Sequence, residues 1–324
     1  MKKIFYMSLA LLSALCSCKN QEIEFPDYDM QSVYFAYQTP IRTITLGEDI
    51  FDTSLDNQHK LQIMATLGGV YENKKEVTIG VSVDNSITQG FSFAAPLNGI
   101  VRPMPANYYK LATDKIVIPK GKIIGGVEVQ LTDAFFEDPL SVNTTYVIPL
   151  KMTNVVNADS ILSAKKSTMY AVKYINPWTG YYLRRGKDTF VGKNGNTLLN
   201  SMVQRHMQYV EKDEVNKLNT LALNKTAFPV TFKGAGGVNI NRTLVLTFGN
   251  DGNCTIAAGD GSFTATGSGR FVKRGEKNSW GNQDRDALYL NYQVDLNDRT
   301  VSSMDTLVMR DRGVKAETFT LAVN

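Results

Sequence analysis

The nine residues EVTIGVSVD (76–84) alternate without interruption: Val77, Ile79, Val81 and Val83 fall on one face, Thr78 and Ser82 on the other. A period of two sends successive side chains to opposite faces of a strand, so one face is built for a core and the other for water. The same pattern recurs along the first half of the chain. SVYFAY (32–37) and KLQIMATL (60–67) precede this stretch; KIVIPKGK (115–122), GGVEVQLT (125–132), TYVIPLKMT (145–153) and TMYAVKYI (168–175) follow it. Turn signals such as PKGK and GG separate them. Seven short strands at this spacing predict an immunoglobulin-like sandwich of two sheets over residues 30–175. The cysteine pair and buried tryptophan of antibody domains are missing from it, so the expectation rests on pattern alone. Pro149 cannot donate to a ladder, which suggests that its strand is an edge or is bulged.

The sandwich ends at Asn176-Pro177, because the residue before a proline is driven to extended geometry. Residues 176–324 form a second β-rich domain. LVLTFGNDGNCTI (244–256) reads as a hairpin, with Asp251-Gly252 suited to a type I′ turn. ALYLNYQVDL (287–296) turns Leu288, Leu290, Tyr292, Val294 and Leu296 inward, and TLVMR (306–310) and TFTLAV (318–323) close the domain. The segment 203–223 is readable as a helix or a hairpin. Alternation of Val203, Met207 and Tyr209 favours a hairpin around Lys212-Asp213-Glu214. Eight to ten consecutive strands with short turns predict a calycin-like antiparallel β-barrel or a curled meander. The glycines of TGSGRF read as strand glycines, where bulges or close packing are the usual cause.

The N-terminus gives an address. Lys2 and Lys3 precede IFYMSLALLSAL (4–15), a run too short to span a bilayer, which needs about 20 apolar residues. Residues 1–17 therefore read as a signal peptide. Leu15-Cys16-Ser17-Cys18 then resembles a bacterial lipobox: Cys18 has a small residue before it and Leu15 three positions before, whereas Cys16 has Leu15 directly before it. Cys18 is the expected lipidation site, holding the protein to outer-membrane lipid. Two or more acyl chains are needed for stable attachment. Residues 18–29 are the lipidated cysteine and its polar tether, with Lys19, Glu22 and Glu24 loosely matching a surface-export signal and a cell-exterior location.

Composition excludes several classes. The 324-residue chain has a formal net charge of +4 and no basic block, so nucleic acid is not an expected partner. Its two histidines, His59 and His206, lie in different domains and in no ligand spacing, so no metal or other cofactor is expected. Cys254, alone in its domain, reads as a small buried hydrophobe. Asp284 and Asp286 read as turn acids rather than a catalytic pair, and no nucleophile elbow or phosphate loop occurs; the chain is not read as an enzyme.

The lipobox, YYKLATDKIVIPKGK (108–122) and INPWTGYYLRRGKDTF (175–190) together resemble Bacteroidetes surface lipoproteins with an N-terminal domain of unknown function 1735. GSGRFVKRGEKNSWGNQDRDALYLNYQVD (267–295) resembles their β-rich C-terminal partner domain. The resemblance implies glycan capture at the cell surface by association, not by chemistry. The residues that could serve it lie in RGEKNSWGNQDRD (274–286), where Trp280 stands among Asn278, Asn282, Gln283, Asp284 and Arg285. A flat ring flanked by amides, carboxylates and guanidinium matches the apolar face and hydroxyl rim of a sugar. The alternative is that Trp280 tucks under its own hairpin. Trp178, Tyr181 and Tyr182 form a second aromatic group at the junction, where ring packing between domains is the competing use. Two functions stay open: a non-catalytic glycan-binding lipoprotein of a polysaccharide-uptake system, or a structural or adhesive protein that docks onto a surface-protein partner.

Overall fold

A computed structural model describes residue 28 and residues 30–324. The signal peptide, Cys16, Cys18 and nearly all of the tether lie outside the described residues.

Twelve strands build the N-terminal unit: β1 (Ser32–Tyr34), β2 (Pro40–Thr45), β3 (Lys60–Gly68), β4 (Val77–Val83), β5 (Phe91–Phe93), β6 (Arg102–Pro103), β7 (Tyr109–Leu111), β8 (Lys115–Ile118), β9 (Ile124–Leu131), β10 (Tyr146–Val156), β11 (Ser160–Ile161) and β12 (Ser167–Ile175). The seven strands expected from alternation are all present, as β1, β3, β4, β8, β9, β10 and β12. Hydrogen bonding runs in the order β11-β1-β3-β9-β8-β4-β10-β12-β2. β1, β3 and β9 make one layer, and β4, β10, β12 and β2 the other. β8 passes between them, pairing with β4 from Val77↔Ile118 to Gly80↔Lys115 but with β9 only at Val117↔Gly126. Val33, Ile63 and Val127 of the first layer meet Ile79, Ile148 and Val172 of the second in one core, none more than 1% exposed. The leading segment splits between layers: β1 lies antiparallel on β3, while β2 runs parallel to β12. This is the strand order of an immunoglobulin-like sandwich.

Pro149 lies on a central strand, because β10 is flanked by β4 and β12; the bulge falls further on, between Met152 and Asn154. The missing N–H falls where β4 ends: Asp84, one residue past it, donates its N–H to the Pro149 carbonyl at 2.9 Å, and Pro149 cannot return that bond.

The second unit comprises β13 (Gly180–Gly192), β14 (Ser201–Arg205), β15 (Glu214–Ala222), β16 (Lys225–Lys233), β17 (Asn239–Phe248), β18 (Asn253–Ala258), β19 (Thr264–Glu276), β20 (Arg285–Asp295) and β21 (Arg299–Asp311). Each strand from β15 to β21 pairs with the next, and β21 returns to β13 from Tyr181↔Asp311 to Gly192↔Arg299. The result is a closed eight-stranded antiparallel barrel, the first of the two forms expected. Closure removes the sheet edges.

Residues 203–223 form no hairpin, and their helical content is a single 3-10 turn at Val210–Lys212. β14 and β15 both lie antiparallel on β13, at Gly186–Phe190 and Gly180–Arg184 respectively. They are one strand path interrupted by residues 206–213, which loop out opposite Arg185. Asp213 fixes that loop, accepting from Arg185 Nε at 2.6 Å and from the Met207 N–H at 2.9 Å. The β17–β18 turn also differs from type I′. Gly249 and Gly252 bracket a turn closed at 3.2 Å, and only Gly252 has positive φ, at 79°. That is a type I turn followed by a left-handed glycine, the three-residue alternative for a hairpin. At Gly269 close packing is the cause: a Cβ would fall 2.4 Å from Leu290 Cδ2.

The barrel's inner face carries a polar group within an apolar wall. Arg184 is fully buried and its Nε donates to Asp305 Oδ2 at 3.0 Å. Tyr292 donates to the same oxygen at 2.7 Å, and Arg205 to Asp305 Oδ1 at 2.5 Å. Arg205 also donates to Asp188, which accepts from Ser303 Oγ at 2.7 Å. Two guanidinium groups thus face two carboxylates, with no net charge left in the core. Burial opposes the charge of Arg184, but Tyr292 and Asp305 outweigh it and raise its pKa.

The C-terminal segment does not belong to the barrel, although TFTLAV was expected to close it. β22 (Glu317–Thr318) pairs with β2, and β23 (Leu321–Val323) pairs with β5. Phe319, 5% exposed, packs with Phe93, Val101 and Val147 of the sandwich. Alternation found these strands, but it cannot tell which sheet a strand joins.

Candidate functional site

The loop that joins β19 to β20 carries the residues singled out from sequence. Its entry is a bulge: the ladder shifts between Val272 and Glu276, and Arg274 takes a positive φ of 49°. Asp286 holds the bulge by accepting from the Arg274 N–H at 2.7 Å. Asp284 braces the loop, accepting from Lys277 Nζ at 2.9 Å and from the Asn278 N–H at 3.1 Å. The bond from Lys277 holds its carboxyl below the usual range. Both aspartates therefore organise the turn.

Trp280 is half-buried. Its Nε1 donates to the Met309 carbonyl at 3.2 Å, and the Arg285 guanidinium lies 3.6 Å from the ring centroid. Arg285 Nε also donates to the Trp280 carbonyl at 3.2 Å. The ring is thus clamped between β21 and Arg285, which covers one of its faces. Asn282 and Gln283 stand exposed beside it.

At the junction, Trp178 stacks on Phe248 with centroids 4.0 Å apart and planes 5° from parallel. Tyr182 is completely buried and donates to the Trp178 carbonyl at 2.7 Å. Tyr181 stays partly exposed, with Lys217 Nζ 5.3 Å from its ring centre. Trp178 and Tyr182 are committed to the barrel end, and Tyr182 offers no surface to a ligand.

Asp284 and Arg285 do line a cleft, together with residues that the sequence did not suggest. It has a volume of about 370 Å³ and lies between the barrel end and the loop Gly47–Phe51 of the sandwich. Phe271, Met309 and Pro177 supply apolar surface; Glu48, Asp49 and Phe51 form the opposite wall. Trp280, Asn278, Asn282 and Gln283 are not part of its lining. The bulge aims Lys273 and Arg274 across the opening, where Lys273 Nζ meets Glu48 Oε1 at 2.7 Å and Arg274 approaches Oε2 at 3.6 Å.

Arg312 sets the cleft's base. Its guanidinium donates to the carbonyls of Thr179 (2.6 Å), Asn176 (2.7 Å), Glu48 (3.0 Å) and Leu46 (3.1 Å). One side chain thereby ties the sandwich loop, the junction and the barrel together. The ten charged residues lining the cleft divide into five of each sign, leaving it neutral. Among the described residues Asp49 Oδ2 is buried with no donor, an acceptor left over in a wall where the other charges are largely paired. These residues come from four stretches distant in sequence, so no local motif points to them. The one usable signal was the loop 274–286 itself.

Comparison with known proteins follows the same two-part division. A family model described as "Domain of unknown function (DUF5627)" matches residues 177–313, the extent of the barrel, and an N-terminal-domain model matches 28–159. A Bacteroides ovatus protein of unknown function, known from its crystal structure, is 42% identical; the match covers 92% of this chain and 100% of that one, with a TM-score of 0.85. A second Bacteroides ovatus protein of unknown function is 14% identical over 90% of this chain and 99% of that one, with a TM-score of 0.41. An auxiliary nutrient binding protein from Bacteroides thetaiotaomicron is 10% identical over 83% and 90%, with a TM-score of 0.39. The last two superpose too loosely to bear on function. No curated protein matches the chain.

Proposed function

The chain belongs to the family of that first Bacteroides ovatus protein, and on this premise we propose that it is a non-catalytic, lipid-anchored surface protein that binds glycans for polysaccharide uptake. The cleft between sandwich and barrel is the binding site. The observation that carries this reading is the unpaired, buried Asp49 Oδ2 in a neutral cleft with an apolar floor. Ligand sites combine apolar surface with a few placed polar groups. A sugar's C–H face suits Phe271 and Met309, and its hydroxyls suit Asp49 and the charged rim. A neutral lining with cross-paired charges favours an uncharged glycan.

The adhesive reading has less support. It asks for a long, unpaired apolar edge strand. Among the described residues the twelve-stranded sheet ends in the two-residue strands β11 and β22, and the barrel is closed.

Affinity electrophoresis through neutral polysaccharides tests the proposal. The full-length protein should be retarded by at least one of them, and Asp49→Ala should weaken retention by about tenfold, the equivalent of about 1.4 kcal/mol. An unretarded wild type, or an Asp49→Ala variant retained as strongly as the wild type, removes the cleft from the account. The anchor is tested separately: labelling with a palmitate analogue should survive Cys16→Ser and vanish with Cys18→Ser.

A further inference from the structure

The outer wall of the barrel holds a second concavity, of about 860 Å³, which shares no lining residue with the cleft. Strand register explains its form. Gln204, Lys187, Met304, Asn291 and Ser268 are successive cross-strand partners from β14 through β13, β21 and β20 to β19. One turn of the pleat away, Arg185, Thr306, Tyr289, Arg270 and Asn253 form a second such row. Side chains two residues apart share a face, so both rows face outward side by side. With strands about 4.8 Å apart, each row of five strands spans about 19 Å. That is the shape for an extended chain rather than a compact small molecule.

The chemistry of the two rows is one-sided. Lys187 and Arg270 line the groove with His206 at one end; Arg185 and Arg205 also border it, but they are held by Asp213 and by Asp188 and Asp305 respectively. The single carboxylate of the lining, Asp305, is 4% exposed and already accepts from Arg184, Tyr292 and Arg205. Lys187 and Arg270 are exposed and form no ion pair among the described residues, although Asp251, its pKa lowered first by hydrogen bonds from Asn253, lies near enough for Arg270 to add to that lowering. Between them lie Met304, 64% exposed, and the partly exposed ring of Tyr289, whose hydroxyl is turned aside to Glu276 Oε1 at 2.8 Å. The amides of Gln204, Asn253 and Asn291 and the hydroxyls of Ser268 and Thr306 complete the surface. Apolar platforms interleaved with amides and unpaired cations suit an extended polyanion whose repeating unit has both an apolar face and hydroxyls.

We propose that this outer-wall groove is a second binding site, selective for acidic polysaccharide bearing uronate or sulfate groups. It is independent of the cleft, which is neutral and lies at the barrel end. Uncompensated positive charge in a groove raises the local concentration of an anionic ligand and speeds its association. The charge supplies attraction, and Tyr289 with Met304 supplies a surface on which a sugar ring rather than a bare phosphate chain can rest. A nucleic acid would need stacking platforms spaced for bases, whereas the groove offers the Tyr289 ring and, at its far end, the His206 imidazole.

The test is affinity electrophoresis of the full-length protein through polygalacturonate, chondroitin sulfate and a neutral glucan, with single-stranded DNA as a competitor. The proposal expects retardation by at least one acidic polymer. The double variant Lys187→Glu/Arg270→Glu should lose that retention by roughly tenfold or more, since each exposed cation contributes a charge-assisted contact. The conservative variant Lys187→Arg/Arg270→Lys should keep it, which separates charge from fold; both pairs are exposed and should leave the melting temperature unchanged. Retention should fall as salt is added. Retention of the charge-reversed variant at wild-type strength, absence of retardation by both acidic polymers, or displacement by single-stranded DNA at equal or lower concentration overturns the proposal. The Asp49→Ala variant should behave as wild type here, so failure of the cleft and failure of the groove give different patterns.

Discussion

The two domains are held together from the inside in different ways. The sandwich core is built from apolar residues such as Ile63, Ile79, Ile148 and Val172, and among the described residues its one buried charged side chain, Asp56, is paired with the partly exposed Arg42. The barrel encloses Arg184, Arg205, Asp188 and Asp305 in a shared network within its apolar wall. An apolar core degrades by degrees, because each lost methylene removes a little burial. A buried ionic network fails abruptly, because removing one member strands the others in a low dielectric. The barrel should therefore be the more brittle half.

The largest effect expected from this difference is at Asp305. Asp305→Ala leaves Arg184 with only the distant Glu214, 3.9 Å away, removes half of Arg205's bonds to carboxylate, and should destabilise the barrel by about 3–5 kcal/mol. Both tryptophans of the chain, Trp178 and Trp280, pack on the barrel, so denaturation followed by tryptophan fluorescence reads this unit. Replacing the pair together, as Arg184→Met/Asp305→Leu, should restore part of the loss, since Arg184 is no longer stranded while Arg205 and Tyr292 still lose their acceptor. A wild-type midpoint for Asp305→Ala would break the comparison. In the sandwich, Ile148→Val should shift stability by only about 0.5–1.5 kcal/mol.

The smallest effect concerns the contact between the halves. Lys273's hydrogen bond holds the Glu48 carboxyl below its ordinary value of 4.5. A carboxylate with a lowered folded pKa adds stability above its unfolded pKa, and that contribution disappears as pH falls through the folded value. Glu48→Gln should therefore melt slightly below wild type at pH 7, and the two curves should converge as the pH drops well below 4.5. The pair is exposed, so the gap should be small and should shrink with salt.

Alternation made the strands legible and little else. In EVTIGVSVD and its six counterparts each residue's face follows from its neighbours, so the sandwich could be read directly. β2 escaped because PIRTIT opens with a proline and only its last three residues are buried. The strand path through β14 and β15 was opaque, because pairing to β13 on both sides of a loop is a long-range fact. TFTLAV was recognisable as strand, but its partners lie more than 200 residues upstream. Arg184 and Asp188 fall on the inward face of β13 beside Tyr182 and Phe190. Charges in step with core residues were the available sign of the network. The cleft was legible only through Asp284 and Arg285, since Asp49 and Arg312 reach it by tertiary folding alone.

Whether the interdomain cleft holds a glycan can be seen most directly in a crystal structure of the protein with an oligosaccharide cut from whichever neutral polysaccharide retards it. A sugar ring should rest on Phe271 and Met309, with a hydroxyl donating to Asp49 Oδ2. An oligosaccharide bound elsewhere, with the cleft unoccupied at saturating concentration, would contradict the proposed site.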